Sequence, residues 1–509
     1  MRLRAHARRR RNHRRWSHRW WPALAAAGAA ATGVTAAAPV ALAQGFGLNE
    51  IGSCAIARGF AVTSAPCDDA SSLYWNPGAV SNLPMGVSAY VGGTAIGIKG
   101  KFTTDYTGRQ YNSNVPTAFP PYVGLAVRTS PRLMLGIGAY VPYGLTSEWN
   151  NDFPGRFSAQ KSALQNFYIQ PTAAYELVPG RLSVGAGAIL ALSSIEIRQS
   201  LDFSQSPVPG AGVEGSGIPA GTTFGNLGVQ PYTEFARARV NASGHGGGFT
   251  LGIHAHPVPS VSIGARYLSR VRIEYRNADV KFSTVAAADS VVFAANNPLG
   301  VPAGTSLQQV VAGQFASGGA LAPGQSANTV ITNPAQFQVG VAYTGLSNTT
   351  LSADFAQIQW SSFKTLPFNF TFAGGMPNTA LSRLQLEDYK NSNSYRFGLE
   401  HRFPDAGGVA GRLGFAYSQA AAPDVTVTPL LPDMDRYNFG GGIGVPLSSL
   451  LGPGGRRYAV DLTYFRVETR GRRGRTGERP SEALTADQVN NGFYNLNANV
   501  VSASVRATF

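Results

Sequence analysis

Charge is scarce in this chain: Asp, Glu, Lys and Arg together make up 14% of its 509 residues, against about a quarter in an ordinary soluble domain. So low a charge does not suit a soluble enzyme. Cysteine is scarcer still, with only Cys54 and Cys67, thirteen positions apart. A metal or catalytic role for them finds no supporting neighbours, and no metal or cofactor is expected. In an oxidising compartment such an isolated pair is expected to form a disulfide; two buried thiols are the alternative. Past residue 43 no apolar run approaches the length of a membrane-spanning helix, which excludes a helical membrane protein. No G-x-S-x-G elbow occurs, so Gly244-His245-Gly246-Gly247-Gly248 does not mark a lipase and the chain is not expected to be an enzyme.

What is plentiful is glycine, with 60 residues, beside 20 Tyr and 27 Phe. Small residues and aromatics suit a wall that is wet on one face and greasy on the other. The N-terminus reads as an export leader over residues 1–43. Arg8 to Arg11, Arg14, Arg15 and Arg19 form a basic start, an Ala-rich apolar run covers Pro22 to Ala38, and Ala41-Leu42-Ala43 is a small-residue cleavage site. Removing it takes away nine Arg and no acid, so the formal charge falls from +15 to +6. The high pI therefore belongs largely to the leader, and nucleic acid is not an expected partner.

The last nine residues, Val501 to Phe509, alternate apolar with small or polar side chains and end on an aromatic. Successive side chains of a strand point to opposite faces, so this is the pattern of a closing strand in an outer-membrane β-barrel. From residue 86 onward, similar segments are predicted at about 86–104, 118–129, 132–143, 163–178, 181–200, 236–256, 260–282, 331–344, 349–366, 389–403, 409–419, 435–448, 455–470 and 495–509. The reading is an all-β, 14-stranded antiparallel transmembrane β-barrel over residues 84–509. Tight turns such as Ser130-Pro131 and Pro179-Gly180 alternate with long connections near 105–117, 144–162, 201–235, 283–330, 367–388, 420–434 and 471–494. Both termini then lie on the periplasmic side.

Residues 44–83 lack that alternation yet carry Phe46, Leu48, Ile51, Phe60, Leu73, Tyr74 and Trp75. They are too apolar for a free tail, and the natural place to bury them is the lumen, as a plug. Here the chain resembles a known family. Gly45-Phe46-x-Leu48-Asn49-Glu50, Ala57-Arg58-Gly59-Phe60, Asp68-Asp69-Ala70-Ser71 and Asn76-Pro77-Gly78 look like the N-terminal hatch of the FadL-type outer-membrane transporters. The likeness continues through Tyr143 to Asn150, Pro171 to Glu176, Tyr267 to Ile273 and Pro432 to Arg436. Where the family usually has Asn-Pro-Ala, this chain has Gly78, which adds backbone freedom at a turn the resemblance marks as functional.

The resemblance implies an outer-membrane transporter for passive, ligand-gated uptake of hydrophobic compounds, with lateral exit through the barrel wall. Long-chain fatty acids are the leading cargo; aromatic hydrocarbons within the same family, or a general aqueous porin, are the alternatives. Expected partners are those small molecules, outer-membrane lipid and lipopolysaccharide, and a monomer is expected. Phe46 and Leu48 are candidates to line the inner pocket. The family's inward kink of the third strand falls on Pro142, Tyr143 and Gly144, where Pro142 also removes a ladder donor. Arg198 falls at or one position from a family Arg of the inner pocket, and Lys364 lies in a comparable strand. For both, an ordinary lumen charge paired with Asp or Glu is the alternative.

Overall fold

The computed structural model describes residues 45–509 except 203, 205, 207, 209, 210, 213, 216, 286–289, 296, 298–301, 318, 449–457 and 476–490. The leader expected over 1–43 lies outside the described residues. Fourteen strands form the wall. β1 spans Gly86–Thr104, β2 Pro121–Arg128, β3 Leu133–Glu148 and β4 Lys161–Val178. β5 spans Leu182–Leu201 and β6 Ala236–Val258. Each of the next three is broken in two: β7 is Val261–Leu268 with Val271–Thr284, β8 Ser326–Asn333 with Gln336–Leu346, and β9 Thr349–Ile358 with Thr365–Thr371. β10 spans Ser392–Phe403, β11 Val409–Ser418 and β12 Arg436–Pro446; β13 is Tyr458–Thr469 and β14 Gly492–Thr508.

Every strand runs antiparallel to its neighbours, and β14 pairs with β1 from Gly492↔Thr104 to Thr508↔Ser88, closing the ring. Closure leaves the sheet without a terminal edge strand, and most backbone groups of the wall are satisfied within the barrel, as hydrocarbon requires. The alternation explains the composition. On β5, Ser183, Gly185, Ile189, Ala191 and Ser193 are inward and buried or small, whereas Leu190 and Leu192 are exposed on the outer face. Phe249 and Leu251 on β6, Phe397 on β10 and Tyr464 on β13 share that outer face. Each such side chain gains about 1.5–3 kcal/mol on leaving water for lipid. Among the described residues no helix is long and apolar enough to cross a membrane; the crossing is done by strands.

The fourteen-strand expectation holds, with differences at the margins. β3 continues to Glu148 rather than stopping near 143, and β8 begins at Ser326 rather than near 331. Short strands at Gln110–Asn112, Arg383–Leu386 and Arg472–Gly474 lie in connections expected to be irregular. Tight turns gather at one end with Gly86 and Phe509, and long connections at the other.

Candidate functional site

The wall is not paired throughout. β2 and β3 are in register from Arg128↔Met134 to Val123↔Ala139, and there their ladder ends. Beyond it β3 stays with β4, but the register slips between Tyr140 and Tyr143. A bulge of this kind bends a strand, and Pro142 at its centre has no N–H to give. From Tyr140 to Ser147 every residue is buried, so this half of β3 is covered on both faces. The edge it withdraws from β2 is taken by the N-terminal segment. Gly47 bridges Tyr143, Leu48 N donates to Pro142 O at 2.9 Å, and Gly144 N donates to Phe46 O at 2.9 Å. A bridge between Ser113 and Trp149 rejoins the two sides toward the loops. Between the Val123↔Ala139 pair and this bridge, no strand pairing among the described residues spans the wall.

Phe46 sits in a nest of aromatic rings. Its centroid lies 4.6 Å from Trp360, 5.5 Å from Phe363 and 6.1 Å from Tyr143, all edge-on, and Tyr389 lies 5.2 Å from Phe363. Edge-to-face pairs of this sort add to what area burial alone contributes. Trp360 and Phe363 come from the break in β9, and the Tyr143 hydroxyl donates to Pro334 O, in the break of β8, at 2.6 Å. Interruptions in β3, β8 and β9 thus converge on one buried apolar site. Gly45 has φ +60°, and a Cβ there would lie 2.5 Å from the Trp360 ring, so only glycine lets the chain pass.

The rest of the segment, to residue 83, reaches the inner face of every wall strand. Around the ring, Thr94 on β1 donates to Glu50 O, Ser53 pairs with Tyr122 on β2 and with Ser502 on β14, and Gln170 on β4 donates to Leu73 O. Asn76 donates to Ile253 O on β6, Thr63 N to Asp354 on β9, and Thr463 on β13 to Ser53 O. Many inward positions facing it are glycine because backbone meets backbone. A Cβ on Gly414 of β11 would stand 2.0 Å from Gly59 N, one on Gly185 of β5 2.3 Å from Pro77 O, and one on Gly264 of β7 2.1 Å from Thr63 O. Cys54 and Cys67 are bonded to each other within this segment, with Cα atoms 6.2 Å apart.

Asn76 also caps its own turn, accepting from Gly78 N at 3.0 Å, and donates to Thr63 O at 2.8 Å. Pro77 starts the short 3-10 helix Pro77–Asn82. The expectation of added freedom at Gly78 is corrected here: a Cβ would meet Gly252 O at 2.8 Å, so glycine serves close approach to the wall and holds the turn down. Asp433, in the connection before β12, accepts from Gly45 N at 3.1 Å and from the N–H groups of Ala421 and Ala422. Burial raises its carboxyl above the usual range despite those donors. At the turn end, Asp68 meets Arg402 of β10 at 2.6 Å.

The two expected cationic ligands stand elsewhere. Arg198 is on the outward face of β5, in register with Lys161 and Arg239, and its guanidinium contacts Glu196 at 2.7 Å. Its place among lumen residues is therefore corrected: Ile195 and Ile197 take the inward positions, and the outward face turns charged beyond the lipid band. Lys364 is exposed in the break of β9 and pairs with Asp388 at 2.6 Å. Neither touches Phe46 or Leu48. Sequence reasoning missed Trp360, Phe363, Tyr389 and Asp433; Trp360-x-x-Phe363 read as one more stretch of strand, and nothing in it signals a break.

Comparison with known proteins fits this geometry. The profile of a family described as outer membrane protein transport protein (OMPP1/FadL/TodX) matches residues 34–509. The chain is 22% identical to the long-chain fatty acid transport protein of Escherichia coli over 405 residues, covering 78% of this chain and 82% of that one. It is 25% identical over 411 residues to the 47 kDa outer membrane protein of Pasteurella multocida, covering 80% and 85%. Among solved structures it is similar to a Pseudomonas aeruginosa FadL homologue, at TM-score 0.70 and 20% identity over 91% of this chain and all of that one. The Pseudomonas putida toluene transporter TodX gives TM-score 0.61 at 17% identity, over 92% of this chain and 100% of the other. These structural likenesses carry the fold; the family match, over nearly the whole chain, carries the membership. The protein belongs to the OMPP1/FadL/TodX family and is an outer-membrane β-barrel transporter of hydrophobic compounds.

Proposed function

We propose that the cargo is a long-chain fatty acid, that residues 44–83 act as a hatch, and that cargo leaves sideways through the unpaired stretch between β2 and β3. One observation carries the reading: the hatch strand at 46–48 is hydrogen-bonded to the same half of β3 that has left β2. Movement of the hatch and access to the wall opening would then be one event. An acyl chain gains about 0.8 kcal/mol per methylene buried, so an apolar nest beside the opening captures it without an energy source. The curated relative from Escherichia coli, aligned over most of both chains, is named for long-chain fatty acids. A second reading, aromatic hydrocarbons, is favoured by the aromatic lining contributed by Phe46, Tyr143, Trp360 and Phe363. The porin alternative needs an unplugged lumen, and the contacts of residues 45–83 around the whole ring weigh against it.

The test removes the bulge. Deleting Pro142 alone, the one extra residue of the bulge, brings Tyr140, Val141 and Tyr143 into continuous register with Tyr168, Phe167 and Asn166 of β4. Uptake of labelled oleate and of labelled toluene is then measured in cells lacking their own transporter, with heat-shifted electrophoretic mobility reporting a folded barrel. Loss of oleate uptake by a folded variant supports the reading. Uptake equal to that of the parent protein overturns lateral exit, and a parent that carries toluene alone overturns the fatty acid assignment.

A further inference from the structure

Four cations stand in one row across the outer wall. Lys161 on β4 is directly opposite Arg198 on β5, Arg198 is opposite Arg239 on β6, and Arg239 is opposite Lys281 on β7. Strand alternation puts all four on the face that carries Leu190, Leu192, Phe249 and Leu251, but at the end of the long connections, beyond the apolar band. Like charges directly opposite one another on neighbouring strands oppose folding, and here the conflict is repeated three times in succession. The carboxylates beside the row do not remove it. Glu196 alone serves Lys161 at 3.2 Å, Arg198 at 2.7 Å and Arg239 at 3.1 Å; Glu148 reaches Lys161 at 3.5 Å and Asp279 reaches Lys281 at 3.1 Å. Arg239 and Lys281 keep half or more of their side chains exposed.

We propose that this row binds the phosphates of a phosphorylated glycolipid in the outer leaflet. The position selects the occupant: an anion at this height, with acyl chains below it, lays those chains on the apolar wall of β5 and β6. Guanidinium groups take phosphate oxygens in pairs, and basic side chains at a membrane surface attract anionic headgroups. Three strand spacings make the row roughly 14 Å long, which suits a headgroup carrying two phosphates better than one. Between 466 and 475, three of the five arginines have an acid of their own, which makes that stretch a poorer site: Arg466 pairs with Glu468, Arg472 with Asp424 and Arg473 with Asp105.

The test uses the full-length protein in detergent and native mass spectrometry, with diphosphorylated lipid A and the same lipid stripped of phosphate as probes. The parent protein should retain the diphosphorylated lipid and not the stripped one. Arg198→Gln with Arg239→Gln should weaken retention at least tenfold, while Arg109→Gln, at an exposed loop pair with Asp152, should leave it unchanged. Heat-shifted mobility confirms that each variant is folded. Excess inorganic phosphate should fail to displace the lipid. Equal retention of the stripped lipid, displacement by inorganic phosphate, or full retention by the folded double variant would each overturn the proposal.

Discussion

Gly414→Ala is a single added carbon with a calculable effect. The new Cβ would lie 2.0 Å from Gly59 N, 2.2 Å from Arg58 C and 2.7 Å from Ala57 O. All three are backbone atoms, so no side chain can swing aside. Restoring ordinary contact near 3.4 Å requires the segment to retreat by about 1.4 Å. It cannot do so locally, because the disulfide from Cys54 to Cys67 ties both sides of Arg58 together. Overpacking of this kind costs about 1–3 kcal/mol, and 2 kcal/mol multiplies the displaced fraction roughly 30-fold. Because β11 is held on both sides by continuous ladders to β10 and β12, the wall should survive and the segment should move. Single-channel recording in planar bilayers should show frequent ion-conducting openings that the parent protein lacks. Gly97→Ala is the matched control, since a Cβ there meets nothing closer than 3.8 Å. Equal conductance for both variants, with unaltered thermal midpoints, would refute the idea that wall glycines seat the N-terminal segment.

Three further outcomes are expected. Phe46→Ala deletes a ring packed on Trp360, Phe363 and Tyr143 and should cost about 3–5 kcal/mol at that site, read as exchange at Leu48 N–H and Gly144 N–H faster by two orders of magnitude or more. Reducing the Cys54–Cys67 bond frees a short loop worth about 3 kcal/mol; ion leak should rise while the circular dichroism of the wall is unchanged. Glu387, in the connection before β10, is pushed up to about 8 by burial, with Gln385 donating to it. A carboxyl whose folded pKa is raised contributes stability below its unfolded value of about 4.5, and that contribution is lost as pH climbs to about 8. Glu387→Gln should therefore flatten the fall in thermal midpoint between pH 5 and 8, and an unchanged slope would count against the burial argument.

The fourteen strands were readable because lipid imposes alternation on every one of them, and turns of Pro and Gly separate them cleanly. The apolar content of residues 44–83 likewise exposed a segment needing cover. Other features left little trace. The breaks at 269–270 and 359–364 lie inside stretches that still alternate, and only their partners across the barrel reveal them; Pro334, which has no N–H, is the one sign of the break at 334–335. Arg198 shows the limit of face assignment. Within the membrane a polar side chain marks the lumen, but beyond the lipid band the outward face is polar too, so charge no longer says which way a residue points. Gly78 teaches the complementary lesson: a glycine read as freedom can be the mark of two backbones in contact.

The unpaired stretch beside β3 has one more property, written in the opposing rim. There the chain runs Val115-Pro116-Thr117-Ala118-Phe119-Pro120-Pro121, three prolines in six residues. Ala118 still trades both hydrogen bonds with Ile96 of β1, holding this rim to its other neighbour. Strand alternation sends the groups of residues 116, 118 and 120 toward β1 and leaves the N–H groups of Thr117 and Phe119 for the β3 side, where of the three prolines only Pro121 withholds one. This rim keeps groups to share; the obstacle to pairing stands opposite, where the Pro142 bulge turns the edge of β3 to Phe46, Gly47 and Leu48. The separation of the rims is thus set by the path of β3 and by the segment bonded to it. Under the lateral route proposed above, the timing of passage belongs to the three residues bonded to β3, Phe46, Gly47 and Leu48.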